Sequence, residues 1–216
     1  MIISSGRRFI FVHIPKTGGT SMALALEARA MADDILIGDT PKAQRRRRRL
    51  KGAQTAGRLW KHSTLRDAEG LIDRDQMRDY FVFTLVRNPW DRAVSYYHWL
   101  QDQTFDHPAV RVAQAHDFSD FLRFPEIQQS FRQGTYGSYV TAPDGHECAN
   151  AFVRLEHLSA DLRPVEAHLG FAPVLPRANT SQRTTDYRPY YKPEDADLLG
   201  RLCAEDAARF GYTFEQ

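Results

Sequence analysis

Cysteine is scarce in this chain of 216 residues: Cys148 and Cys203 stand alone and far apart. Two such thiols make neither a disulfide framework nor a zinc-binding spacing, and they suit a reducing compartment. A long hydrophobic run is missing too, so no stretch reaches the ~20 apolar residues of a membrane-spanning helix. Residues 1–6 are too short for a signal peptide and lead straight into an apolar strand. Charge of one sign is not in excess. The 29 Lys and Arg face 27 Asp and Glu, a net +2 that makes no demand for nucleic acid. Internal repeats are absent. So are the two common nucleotide fingerprints, G-x-x-x-x-G-K-[ST] and G-x-G-x-x-G. Hydrophobic residues at 42% and charged residues at 26% are ordinary for a soluble globular chain. The length fits a single domain over residues 1–216 with a sizeable core.

What is present is concentrated at two corners. Phe9 to Ile14 is an apolar run that reads as a buried strand, ended by Pro15, which has no N–H for a ladder. Lys16, Thr17, Gly18, Gly19, Thr20 and Ser21 follow. Met22, Leu26 and Ala30 then fall on one helical face. The order is strand, glycine-rich loop, helix. A helix start carries unpaired N–H groups and a partial positive charge, and glycines let the backbone approach a ligand. Thr20 and Ser21 can cap the helix or donate to an oxyanion, and Lys16 adds a full charge. This is a phosphate- or sulfate-binding corner. An exposed lysine on an ordinary turn is the plainer reading, and the crowd of hydroxyl residues around the glycines weighs against it.

The second corner is Tyr80 to Val86, an apolar strand covered on both faces, followed by Arg87-Asn88-Pro89-Trp90-Asp91-Arg92 and Ser95. Asn88 suits the N-cap and Pro89 the first helical position. Arg87 stands at the strand's carboxyl end, where open α/β sheets bind ligands. An arginine fork with a serine hydroxyl suits phosphate.

Ile14–Ser21 resembles the 5′-phosphosulfate loop of sulfotransferases that use 3′-phosphoadenosine 5′-phosphosulfate (PAPS), and Arg87-x-Pro89-x-x-Arg92-x-x-Ser95-x-Tyr97 resembles their 3′-phosphate segment. The first motif looks most like the carbohydrate (type 2-like) branch. Asn179-Thr180-Ser181-Gln182-Arg183, followed by Tyr187 and Tyr190, is similar to a late element of that branch; the glycine-rich R-K-G loop of the small-molecule branch is absent. The resemblance implies an α/β, P-loop-like fold with a central parallel sheet of about five strands flanked by helices. It implies PAPS as co-substrate, bound by Pro15, Lys16, Thr17, Gly18, Gly19, Thr20 and Ser21 and by Arg87, Ser95 and Arg183. No metal is required, because lysine and helix dipole stand where Mg²⁺ stands in kinases. Arg92 either joins the phosphate site or pairs with an acid. The acceptor is a hydroxyl-bearing molecule, expected to be a glycan. Many eukaryotic members of the branch carry a Golgi anchor, so a bacterial-type cytoplasmic enzyme is the expectation.

A base is also implied, and the family often places a histidine or glutamate between the two corners. His62 is there, and an unperturbed imidazole accepts a proton near neutrality. His13, on the first strand, is the rival, and a surface or capping role for His62 is the plain alternative. Arg154 and Glu156, two apart on an expected strand from Ala151 to Glu156, read as support for the sheet. Helices are expected from about His157 to Leu169 and from about Pro193 to Phe210.

One feature stands outside this scheme. Arg45–Arg49 is five arginines in a row. It is a solvated or mobile surface, a seat for an anionic acceptor, or a nucleic-acid contact; the lack of interleaved aromatics disfavours the last. Two other functions remain open on the sequence: a P-loop kinase-like enzyme, against which the lysine-before-glycine order speaks, and a non-catalytic polyanion binder built on Arg45–Arg49.

Overall fold

A computed structural model describes residues 1–176 and 184–215. In chain order the first elements are β1 (Ile2–Ser4), β2 (Phe9–Val12), α1 (Gly19–Ala28), β3 (Ile35–Leu36), α2 (Pro41–Arg46), α3 (Arg74–Asp79) and β4 (Phe81–Val86). Five helices follow, α4 (Pro89–Gln101), α5 (Pro108–Ala115), α6 (Phe118–Arg123), α7 (Pro125–Gln133) and α8 (Tyr136–Tyr139). Then come β5 (Ala149–Arg154), α9 (Leu158–Asp161), α10 (Arg163–Leu169), α11 (Pro193–Leu202) and α12 (Ala204–Phe210). The chain separates into two compact units, Met1–Val86 with Tyr136–Asn179, and Arg87–Thr135 with Thr180–Gln216.

The first unit holds a five-stranded sheet in the order β3-β1-β2-β4-β5. β2, β4 and β5 are parallel, with Phe9 beside Phe81 and Val12 beside Thr84. β1 is antiparallel to β2 and to β3, so the expected parallel sheet carries a short antiparallel edge. Alternate residues of each strand go to opposite faces, and here both faces are covered. On one face Ile3, Ile10, Val12 and Val82 pack with Leu65, Met77 and Val140. On the other, Phe9, Phe11, Phe83 and Leu85 pack with Met22 and Leu26 of α1 and Val165 and Leu169 of α10. Thr84 is buried in β4, and its hydroxyl donates to the Val12 carbonyl at 2.7 Å, so the buried polar group is satisfied.

Several boundaries differ from expectation for local reasons. β5 ends at Arg154, and Leu155–His157 forms a 3₁₀ turn, so Glu156 is not on the strand with Arg154. The helix expected from His157 to Leu169 is two helices, with Pro164 in the first turn of the second, where its missing N–H is harmless. Arg154 spans the junction, its guanidinium bonded to both carboxylate oxygens of Asp161 at 2.7 and 3.0 Å. That bidentate pair ties the end of β5 to α9.

The second unit is helical. Asn88 caps α4, its side chain accepting from the Trp90 N–H at 3.0 Å and donating to the Thr213 carbonyl at 2.9 Å. The Trp90 indole N–H donates to the Ala196 carbonyl at 2.9 Å, and the Tyr191 hydroxyl donates to the Trp90 carbonyl at 2.8 Å. Fully buried Asp195 accepts from Ser119 and Arg123. The final helix breaks at Cys203 into α11 and α12 and ends on Gly211, in the left-handed region with φ 69°. Cys148 and Cys203 are both buried free thiols. Among the described residues no helix is long and apolar enough to cross a membrane.

Candidate active site

The loop between β2 and α1 is built by its backbone. Lys16 has φ 67° and Gly18 has φ 84°, both left-handed, whereas neither Thr17 nor Gly19 has a positive φ. The hand of the chain alternates residue by residue. Alternation of this kind turns successive N–H groups to one side and makes a concave anion seat. Gly18 is the N-cap, with no side-chain cap bond, so α1 starts with its first amides unpaired within the helix. Ten residues of helix then add their dipole. Thr20 and Ser21 are therefore first-turn helix residues rather than caps. The Thr17 hydroxyl is buried and donates to the Ile14 carbonyl at 3.0 Å, closing the loop, so only the Thr17 backbone is left to face an anion. Holding a non-glycine residue such as Lys16 in the left-handed region costs about 1 kcal/mol or more, and it sets where the lysine side chain begins.

Gly19 has a steric reason to be glycine: a Cβ there would run into the His13 ring. His13 is buried, 6% exposed, and stacks beside Phe11. The His62 ring meets it edge-on with centroids 4.6 Å apart. His62 Nδ1 lies 2.8 Å from the His13 carbonyl oxygen. A carbonyl only accepts, so Nδ1 carries the proton and Nε2 keeps its lone pair. Burial pushes the His62 pKa down to about 3, against the raising effect of that carbonyl bond. Burial also pushes His13 well below the usual range, helped by its neighbour His62 and by the N-terminal amine, Lys61 and Lys16. Both rings are neutral near pH 7, and each is in the basic form.

The segment carrying His62 has no regular secondary structure and is pinned from several sides. The Ser63 hydroxyl accepts from the Trp60 N–H at 2.9 Å and donates to the Arg58 carbonyl at 3.0 Å. The Met1 nitrogen donates to the Lys61 carbonyl at 3.0 Å. Lys61 pairs with Asp39 at 2.6 Å. Trp60, 49% exposed, lies edge-on to His62 with centroids 5.0 Å apart. Sequence reasoning passed over Trp60; its signal was only adjacency to the candidate base.

In the helical unit, Arg87 is held by Asp91, with Nε and Nη2 at 2.7 and 2.5 Å from one carboxylate oxygen. The i, i+4 spacing of the pair stood in the sequence, although the pairing role had been considered for Arg92. Arg92 and Ser95 are both buried on α4, at 8% and 7% exposure. Arg183 lies outside the described residues.

The arginine run is divided between α2 and a 3₁₀ turn over Arg47–Leu50. Thr40 caps α2, accepting from the Ala43 N–H, and its hydroxyl donates to the buried Glu27 carboxylate at 2.7 Å. Arg46 donates to the Met31 carbonyl at 2.7 Å and Arg49 to the Ala32 carbonyl, satisfying backbone just past α1. Arg45, Arg47 and Arg48 are exposed.

A profile of the sulfotransferase family matches residues 1–164. Among solved structures, mouse sulfotransferase SULT7A1 complexed with PAP is similar in fold, with a TM-score of 0.54 over 95% of this chain and 85% of that one at 17% identity. A sulfotransferase from Alicyclobacillus acidocaldarius aligns over 96% of this chain and 97% of that one, at 15% identity and a TM-score of 0.44. No curated protein matched the sequence.

Proposed function

This chain belongs to the sulfotransferase family, and we propose that it moves the sulfuryl group of PAPS to a hydroxyl of a carbohydrate acceptor. The observation that carries the proposal is the alternating backbone hand at Lys16–Gly19 ahead of a ten-residue helix. It supports an anion seat where the family profile matches. The PAP in the mouse protein, which is similar in fold, supports PAPS as the donor.

In this reading Pro15 to Ser21 hold the 5′-phosphosulfate, with the amides at the start of α1 as fixed donors and Lys16 as the charge. Arg87 and Ser95 hold the 3′-phosphate, the Arg87 fork being kept in place by Asp91. Arg183 is proposed to join them. PAPS supplies a sulfuryl group on a phosphate leaving group; the acceptor oxygen gains a bond to sulfur as the bond from sulfur to the phosphate oxygen breaks. His62 takes the hydroxyl proton on Nε2, since Nδ1 is committed to the His13 carbonyl. Lys16 neutralises the charge that grows on the leaving oxygen, and the loop amides need no reorganisation. His13, buried under His62 and against Gly19, serves as the support of the base.

The test is transfer of radiolabelled sulfur from PAPS to a panel of glycans. Lys16→Ala should lower turnover by about 10²–10³-fold, as loss of one oxyanion donor does. Near-normal turnover in that variant would overturn the mechanism.

A further inference from the structure

Charge is segregated in this chain. Ten of its 29 lysines and arginines, and none of its 27 acids, fall between residues 40 and 66. That stretch carries +10, and the remaining nineteen cations against 27 acids leave −8 elsewhere. The near-zero total conceals a strongly basic surface segment. Arg45, Arg47, Arg48, Lys51, Arg58 and Arg66 on it are all exposed. The segment ends at the candidate base: Asp39, one residue before the α2 cap, pairs with Lys61 beside His62. From that bridge Arg48 is nine residues further along the chain. Next to His62 the half-exposed Trp60 ring offers apolar area of the kind that packs on the C–H face of a sugar ring.

Resting on the reading above, we propose that this segment is the acceptor-docking surface and that the acceptor is an acidic polysaccharide, already carrying carboxylate or sulfate groups. The exposed arginines hold its anionic groups in register, and Trp60 presents one sugar to His62. A surface segment of this charge density is costly in self-repulsion unless a polyanion neutralises it. The exposed aromatic beside the base, with none among the arginines, favours a sugar polymer over nucleic acid, whose bases stack on aromatics interleaved with the cations.

The test is fluorescence anisotropy with labelled polyglucuronate, neutral dextran and single-stranded DNA of matched charge, each at several salt concentrations. 3′,5′-ADP binding is measured on the same protein samples. Polyglucuronate should bind best, with a steep salt slope. Arg45→Ser with Arg47→Ser and Arg48→Ser should lower that slope by about 2 while leaving 3′,5′-ADP binding intact. Trp60→Ala should weaken polyglucuronate several-fold with the slope unchanged. Equal binding of dextran, preference for DNA, or an unaltered slope in the triple variant would overturn the proposal. Failure of the unmodified protein to bind 3′,5′-ADP would instead overturn the donor reading beneath it, and this proposal with it.

Discussion

His62 keeps its Nδ1 proton on a carbonyl 49 residues away in the chain, and that single contact decides which ring nitrogen can accept a proton. No spacing rule predicts it, because it depends on β2 and an irregular segment meeting in space. The residue's candidacy was legible in its position between two motifs; its tautomer was not. Its depressed pKa has a consequence for stability. The folded value is about 3 and the ordinary value 6.5. Between those limits the unfolded chain binds a proton that the folded chain refuses, so stability is full above pH 6.5 and is lost as pH falls through the window. The slope is at most about 1.4 kcal/mol per pH unit for one histidine, and His13, shifted the same way, adds to it. Urea midpoints taken from about pH 8 to about pH 4 should drop, and should drop less steeply in His62→Asn. Gly19→Ala tests the neighbouring contact: the added methyl meets the His13 ring, and overpacking should lower stability by about 1–3 kcal/mol. An unchanged melting temperature in that variant would mean that His13 is not packed on the loop.

Elements with continuous apolar runs were the readable ones. β2 and β4 are buried on both faces, and their sequences show it without any partner in view. β1 was not read as a strand, since three residues carry too little pattern and its pairing with β2 and β3 is tertiary. The α11–α12 break was hidden for a different reason. Cys203 is neither glycine nor proline, and helical periodicity runs on past it. The Asn88 cap was legible because capping chemistry is local, but its second bond, to the Thr213 carbonyl, was not. That second bond sets the magnitude of the next prediction. Asn88→Ala should destabilise by about 1–3 kcal/mol, more than a cap alone, because it also removes the hydrogen bond to the Thr213 carbonyl. Denaturant unfolding checks this; a loss of only a few tenths would mean that the cap carries nothing.

At the scale of the whole molecule, the net charge of +2 was the least informative number in the sequence, and the distribution behind it one of the most informative. The family profile covers residues 1–164, which include both the Lys16–Ser21 loop and the Arg87–Ser95 segment. We propose that Lys16–Ser21 binds the 5′-phosphosulfate of PAPS and that Arg87 with Ser95 binds its 3′-phosphate. Calorimetric titration with 3′,5′-ADP, set beside ATP with Mg²⁺, tests it most directly. Micromolar binding of 3′,5′-ADP, about −8 kcal/mol, is expected, and none of ATP. Arg87→Ala should weaken it by about 10–100-fold, the worth of a charged hydrogen-bond pair. Preference for ATP, or binding of neither nucleotide, would overturn the assignment of both corners.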